Sequence, residues 1–174
     1  LISSMGTILW KRSIPEKING SIYQVDAFKN GKLQILFGTT NFIYLVDRKG
    51  EDVEKFPLEL ESPATCPLSV FDYDEKRDYR LFAACKNKKV YCYDAKGEIV
   101  KGWNFKKTNE TVSQPILHLR AGEKDFIVIA EDNGRINILA RKGNDKTKVK
   151  EKIPFAKNSL QVFNTANPSV AVTD

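Results

Sequence analysis

Three stretches of this chain share one form: Ile43 to Gly50 (Ile-Tyr-Leu-Val-Asp-Arg-Lys-Gly), Val90 to Gly97 (Val-Tyr-Cys-Tyr-Asp-Ala-Lys-Gly) and Ile136 to Gly143 (Ile-Asn-Ile-Leu-Ala-Arg-Lys-Gly). Their closing glycines stand 47 and then 46 residues apart. A near-constant period in this range belongs to repeat architectures, in which one unit cannot cover its own apolar faces and must stack on a neighbour. The recurrence restricts the fold more than composition does. Composition adds that 174 residues, 41% hydrophobic and 29% charged, suffice for one packed domain and exclude general disorder.

With the turn glycine as a ruler, the chain opens inside a repeat: Leu1 to Gly6 matches the end of the shared stretch, and Thr7 to Ile14 matches the segment after each later copy. Short β-rich runs are then expected at Ile22 to Phe28, Leu33 to Phe37, Phe42 to Val46 and Val53 to Leu60. The second repeat places them at Leu68 to Tyr73, Tyr79 to Cys85, Val90 to Tyr93 and Ile99 to Phe105. The third has Pro115 to Leu119, Phe126 to Ala130, Arg135 to Leu139 and a charged last strand, Asn144 to Lys152. A fourth begins with Leu160 to Phe163 and Ser169 to Val172. Turn pairs such as Asn30-Gly31 and Asn133-Gly134 separate the runs, and no run has sustained helical spacing.

The second and third strands of each repeat are largely apolar, as for strands covered on both faces, while the last is polar, as for an exposed edge guarded by charge. Four antiparallel strands repeated every 46 to 47 residues predict an all-β fold, a β-propeller of four-stranded blades. The whole chain, 1–174, then reads as one propeller domain or segment: 1–18 ends a blade, 19–61, 62–108 and 109–157 are blades, and 158–174 starts another. The two ends are complementary halves, so the ring is either partial or a four-bladed one closed by the termini.

A net charge of +6 comes from lysines scattered through turns, without the aromatic platforms or signatures of nucleic-acid modules, so no nucleic-acid partner is expected. No apolar run approaches the roughly 20 residues of a membrane span, and Leu-Ile-Ser-Ser-Met-Gly is not a secretory signal. Cys66, Cys85 and Cys92 form no metal-like pair. Strand alternation directs Cys85 and Cys92 to one face, out of register, so buried thiols are expected rather than a disulfide.

The strand, Asp-x-x-Gly turn and aromatic-bearing strand of Tyr91 to Trp103, with Gly6 to Lys11, resemble the PQQ-like repeat of quinoprotein-alcohol-dehydrogenase-like propellers. Val25-Asp26 to Gly38 and Phe71 to Ala83, each with an acidic loop, resemble FG-GAP or VCBS blades. Such propellers serve as dehydrogenases, envelope assembly scaffolds or adhesion modules. The resemblance therefore implies a fold and a bacterial envelope setting, but no activity.

Several residues are candidates for chemistry. Asp72, Asp74 and Asp78 alternate as calcium ligands do, but Lys76 and Arg77 occupy the middle of the loop, and a solvated turn is expected. Pyrroloquinoline quinone would require a full ring and a ligand cluster that this sequence does not display. His118 has no Ser or Cys partner at a telling spacing. Trp10, Phe56 and Trp103, following their turn glycines by four, six and six residues, are expected to pack between blades. The basic turns Lys86 to Lys89 and Arg141 to Lys152 are candidate partner contacts, and Asn19 and Asn109 head glycosylation-type triplets. No catalytic, cofactor or metal residue is assigned. The expected function is a non-catalytic scaffold that binds a protein partner; the alternative is part of a larger propeller enzyme, or of a sugar- or metal-binding propeller, whose site lies in other blades.

Overall fold

The computed structural model describes residues 1–153, 160–163 and 169–171. Among them there is no helix, and the strands form three antiparallel sheets of four, three and four strands and one hairpin. The first sheet runs in chain order through β1 (Tyr23–Val25), β2 (Gln34–Gly38), β3 (Phe42–Val46) and β4 (Leu58–Glu59). The second holds β5 (Ser69–Phe71), β6 (Arg80–Ala84) and β7 (Val90–Asp94). The third holds β8 (Leu117–Ala121), β9 (Lys124–Ala130), β10 (Ile136–Ala140) and β11 (Asp145–Lys148). The hairpin pairs β12 (Gln161–Phe163) with β13 (Ser169–Ala171), and the expected last residue of that strand, Val172, lies outside the described residues. Before β1, residues 1–9 fold back through a bridge between Ile2 and Ile8.

Apolar layers alternate with the sheets. The first two sheets close over Leu36, Ile43, Leu45, Leu81 and Tyr93, and the second and third over Phe82, Cys92, Ile127, Ile129 and Leu139. Strand alternation explains the arrangement: in β7, Tyr91 and Tyr93 face the first sheet while Val90 and Cys92 face the third, so the middle strands carry apolar residues on both faces over most of their length. The outer part of the first sheet's other face is covered by Trp10, Ile14 and Ile18 from the segment before it.

Two expectations are corrected. The fourth strands are not continuous: Val53 to Leu60 reduces to Leu58–Glu59, and Ile99 to Phe105 keeps only a bridge from Ile99 to Tyr93. The cause is the aromatic. After one bridge, Asp52 to Val46, the chain turns through Lys55 at φ 69° so that Phe56 can leave its own sheet. Gly102, at φ 85°, performs the same bend before Trp103. Between Gly143 and Ile153 there is no aromatic, and β11 pairs over four residues. The second correction concerns Cys85 and Cys92. The register Phe82 to Cys92 and Ala84 to Val90 puts even-numbered residues of both strands on one face, so Cys85 points toward the first sheet and Cys92 toward the third.

Candidate functional site

The repeated turn supplies the joint between repeats. In the first full repeat the Asp47 carboxylate accepts the amides of Lys49 (2.8 Å) and Glu51 (3.0 Å); in the second, Asp94 accepts those of Lys96 (2.9 Å) and Glu98 (3.0 Å). Both are aspartate turns in which the side chain replaces a backbone acceptor. Ser3 plays the part at the chain start, its hydroxyl accepting the Thr7 amide at 3.1 Å. Each turn closes on a glycine with positive φ, and at Gly50, Gly97 and Gly143 the aromatic of the preceding repeat lies against that glycine. A Cβ on Gly50 would sit 2.9 Å from the Trp10 ring, one on Gly97 3.6 Å from Phe56, and one on Gly143 2.9 Å from Trp103. Trp10 further donates its indole N–H to the Arg48 carbonyl at 2.9 Å. These three aromatics join repeats, as expected of them.

The loops between the first and second strands carry the charged network. The Asp26 carboxylate, buried, accepts the amides of Asn30 (3.0 Å) and Gly31 (2.8 Å) and the guanidinium of Arg77 (2.7 Å) from the next repeat. The candidate calcium residues separate to three partners. Asp72 accepts the amides of Lys76 and Arg77, Asp74 accepts both terminal nitrogens of Arg141 (2.8 and 2.6 Å), and Asp78 accepts Lys29 at 2.5 Å. Hydrogen bonding to Arg141 holds the Asp74 carboxyl below its usual range, and Lys29 does the same for Asp78. Among the described residues no group of three or more His, Cys, Asp or Glu side chains is arranged to hold a metal.

Arg141 is the hub. Besides Asp74 it reaches Asp125, whose side chain is wholly buried, and its guanidinium lies 4.8 Å over the Tyr73 ring. His118 completes the cluster, its Nε2 lying 2.7 Å from the other Asp125 oxygen and its ring lying beside Phe71 and Tyr73. The pair of carboxylates raises the Arg141 pKa further above its ordinary value. The Arg141 guanidinium therefore stays charged, and both oxygens of Asp125 are engaged, one by Arg141 and the other by His118. Joining the second and third repeats is what this cluster does.

On the opposite face, the loops between second and third strands meet the linkers between repeats. Glu131, completely buried, accepts the amides of Asn109 (3.1 Å) and Glu110 (2.9 Å) and the side-chain amide of Asn137 (2.8 Å). The ammonium of Lys88 binds the Asn109 carbonyl at 2.8 Å, and Lys89 lies 3.5 Å from Glu61 and 5.8 Å from the centre of the Tyr91 ring. Lys86, Lys106 and Lys107 around them are exposed. Asn19 is held by its amide to Gly38 while Asn109 is exposed. Burial pushes the thiol of Cys66 up to about 11 and those of Cys85 and Cys92 up to about 12, so all three are reduced packing groups.

Sequence patterns single out neither Asp125 nor Glu131. For Glu131 a signal existed: the 46-residue step maps it onto Thr39 and Cys85, both buried, so a buried carboxylate with partners was implied. Asp125 had no such signal, because β8 and β9 are joined by a turn too short to match the corresponding loops. Arg141, grouped by sequence with an exposed basic turn, is instead committed to two carboxylates.

No family model matches this sequence, and no curated protein matches it at significant similarity. The fold does have counterparts. The chain is similar to one in the crystal structure of BBS1N in complex with ARL6DN, soaked with lead, at a TM-score of 0.63 and 13% identity, over 94% of this chain and 50% of that one. The mercury-soaked crystal of the same complex gives 0.59 and 14%, over 90% and 60%. The fold is β-propeller-like. This chain spans only about half to three fifths of those chains.

Proposed function

We propose that the chain is a non-catalytic propeller segment that presents its basic loop face, Lys86 to Lys89 with Lys106 and Lys107, to an acidic surface of another protein. The observation that carries this reading is the disposition of the charged groups. On the opposite loop face the carboxylates and guanidinium groups that chemistry would need are committed to one another between repeats, whereas the basic face leaves Lys86, Lys106 and Lys107 exposed. A rigid scaffold with charged loops is the arrangement used for steering and docking partners. The likeness to BBS1N, crystallised in complex with ARL6DN, supports an interaction role at the level of fold. The Asp-x-x-Gly turns at Asp47 and Asp94, each followed by an aromatic on the next turn glycine, support placing the repeats in the PQQ-like class.

The test places a photo-cross-linking amino acid at position 86 or 107, with position 49 on the other face as control, in cells of the source organism. One protein captured from 86 and 107, absent from 49 and lost when Lys106 and Lys107 are replaced by Glu, is the expected result. Capture from 49 alone, or a thermal upshift with calcium or pyrroloquinoline quinone, would overturn it, since a ligand of the folded state must stabilise that state.

A further inference from the structure

On the face that carries the exposed lysines, the joint between the second and third repeats is built differently from the others. The residue that follows the second strand of a repeat is Thr39, Cys85 or Glu131, and the three are 2%, 1% and 0% exposed. Only the third is charged. A carboxylate shut away from water is tolerable only where donors surround it. Glu131 finds them in the linker between repeats: one oxygen accepts the amides of Asn109 (3.1 Å) and Glu110 (2.9 Å), while the other accepts the Asn137 side chain (2.8 Å). At the first joint the roles are reversed, since Glu16 of the linker accepts the amide and side-chain amide of Asn41 from the loop, at 2.9 and 2.6 Å.

What Glu131 fixes is the linker, and the linker in turn fixes the basic turn of the second repeat. Thr108 is 3% exposed; its amide donates to the Lys88 carbonyl at 2.8 Å, and its hydroxyl lies 3.0 Å from that carbonyl and 2.6 Å from the carbonyl of Glu110. The Lys88 ammonium returns to the Asn109 carbonyl at 2.8 Å. The other flank of the turn is held by the preceding linker, the Lys86 amide donating to the Pro63 carbonyl at 2.9 Å and the Asn87 amide to the Ser62 hydroxyl at 3.2 Å. The turn is therefore clamped on both sides. Lys86 lies on it, Lys106 and Lys107 immediately precede Thr108, and all three are exposed.

We infer that Glu131 is the positioning residue of the docking face: it locks residues 106–110 against the turn 86–89, so that Lys86, Lys106 and Lys107 meet an acidic segment of the partner as one preorganised array. The inference rests on the reading of that face as the docking surface and adds what holds the surface in shape. Backbone that is fixed before contact does not have to be ordered on binding, and affinity is conserved accordingly. Charge alone argues for the opposite effect, because a carboxylate beneath a basic face weakens the field that draws an acidic partner. A neutral residue, such as the other two repeats carry, would serve the lysines better unless the hydrogen bonds of the carboxylate are what the face needs.

Fluorescence anisotropy of a labelled oligoglutamate peptide on the purified chain tests this, because the two effects of Glu131 have opposite signs. Glu131→Ala is expected to bind the probe about fivefold more weakly than the wild type although it is the more basic protein. Glu131→Gln, whose amide oxygen can still accept the two linker amides, is expected to bind as the wild type does or more tightly. Thr108→Val, which removes the hydroxyl contact with Lys88, is expected to weaken binding too, and it decides the matter if circular dichroism shows Glu131→Ala unfolded. Binding by the folded variant as tight as that of the wild type, or tighter, overturns the inference. So does an equal loss from Glu16→Ala at the first joint, which would mark a general loosening. A wild type that does not bind the probe, or binding unchanged when Lys106 and Lys107 are both replaced by Glu, overturns instead the docking reading itself.

Discussion

The turn glycines are where one residue type meets two requirements. Gly50, Gly97 and Gly143 adopt φ of 90°, 78° and 80°, a region that costs an L-residue about 1–2 kcal/mol, and each lies beneath an aromatic of the preceding repeat. The second requirement differs among them. A Cβ on Gly97 meets Phe56 at an ordinary 3.6 Å, while on Gly143 it falls 2.7 Å from the Phe105 backbone nitrogen and 2.9 Å from Trp103. Gly97→Ala is therefore expected to lose about 1–2 kcal/mol, the backbone cost alone, and Gly143→Ala distinctly more, because backbone cannot yield as a flexible side chain does. Gly6, with nothing within 4 Å of its hypothetical Cβ, is the control and should match Gly97. Urea midpoints of the three alanine variants check the order.

At the scale of elements, the joint between the second and third sheets combines an apolar layer with one buried polar cluster. Burying the Asp125 carboxylate is tolerable only while Arg141 and His118 answer it. Arg141→Ala is expected to cost about 2–4 kcal/mol, less than the full penalty for orphaning a buried charge because the guanidinium itself is partly solvated. Arg141→Lys is expected to recover only part of this, since a point charge cannot span Asp74 and Asp125 as a planar fork does. Adding Asp125→Asn to Arg141→Ala should return part of the loss by removing the charge left behind. A double-mutant cycle by equilibrium unfolding measures the coupling, and simple additivity would remove the cluster from the account of the joint.

For the whole molecule, carboxylates held below their usual range shape the response to acid, among them Asp26, Asp74 and Asp78 in ion pairs that cross between repeats. Asp26, Asp74 and Asp78 all titrate below the usual carboxyl range in the folded state. For Asp26, burial pulls upward but is outweighed by the amides of Gly31 and Asn30 and by Arg77; for Asp74 the cause is Arg141, and for Asp78 it is Lys29. A folded pKa below the unfolded one means stability that is complete above the unfolded value, about 3.9, and lost as pH falls through the folded values. Stability should be level from neutral pH to about 5 and fall below about 4. The combined Asp74→Asn, Asp78→Asn variant should begin lower and decline less steeply with acid, a comparison readily made by urea titration at stepped pH.

Sequence by itself determined the period, the positions of the middle strands and the turns, because a 46-residue step, two-residue alternation and glycine at positive φ are local rules that the chain must obey at each repeat. It also marked Trp10, Phe56 and Trp103 as joints. Only the tertiary structure decided the rest: that those aromatics interrupt the fourth strands, that Cys85 and Cys92 face opposite ways, that Asp72, Asp74 and Asp78 serve three different partners, and that Arg141 reaches Asp74 from 67 residues away. The reason is physical. Register and cross-repeat ion pairing depend on groups that no local pattern relates, and they acquire their partners only when sheets stack.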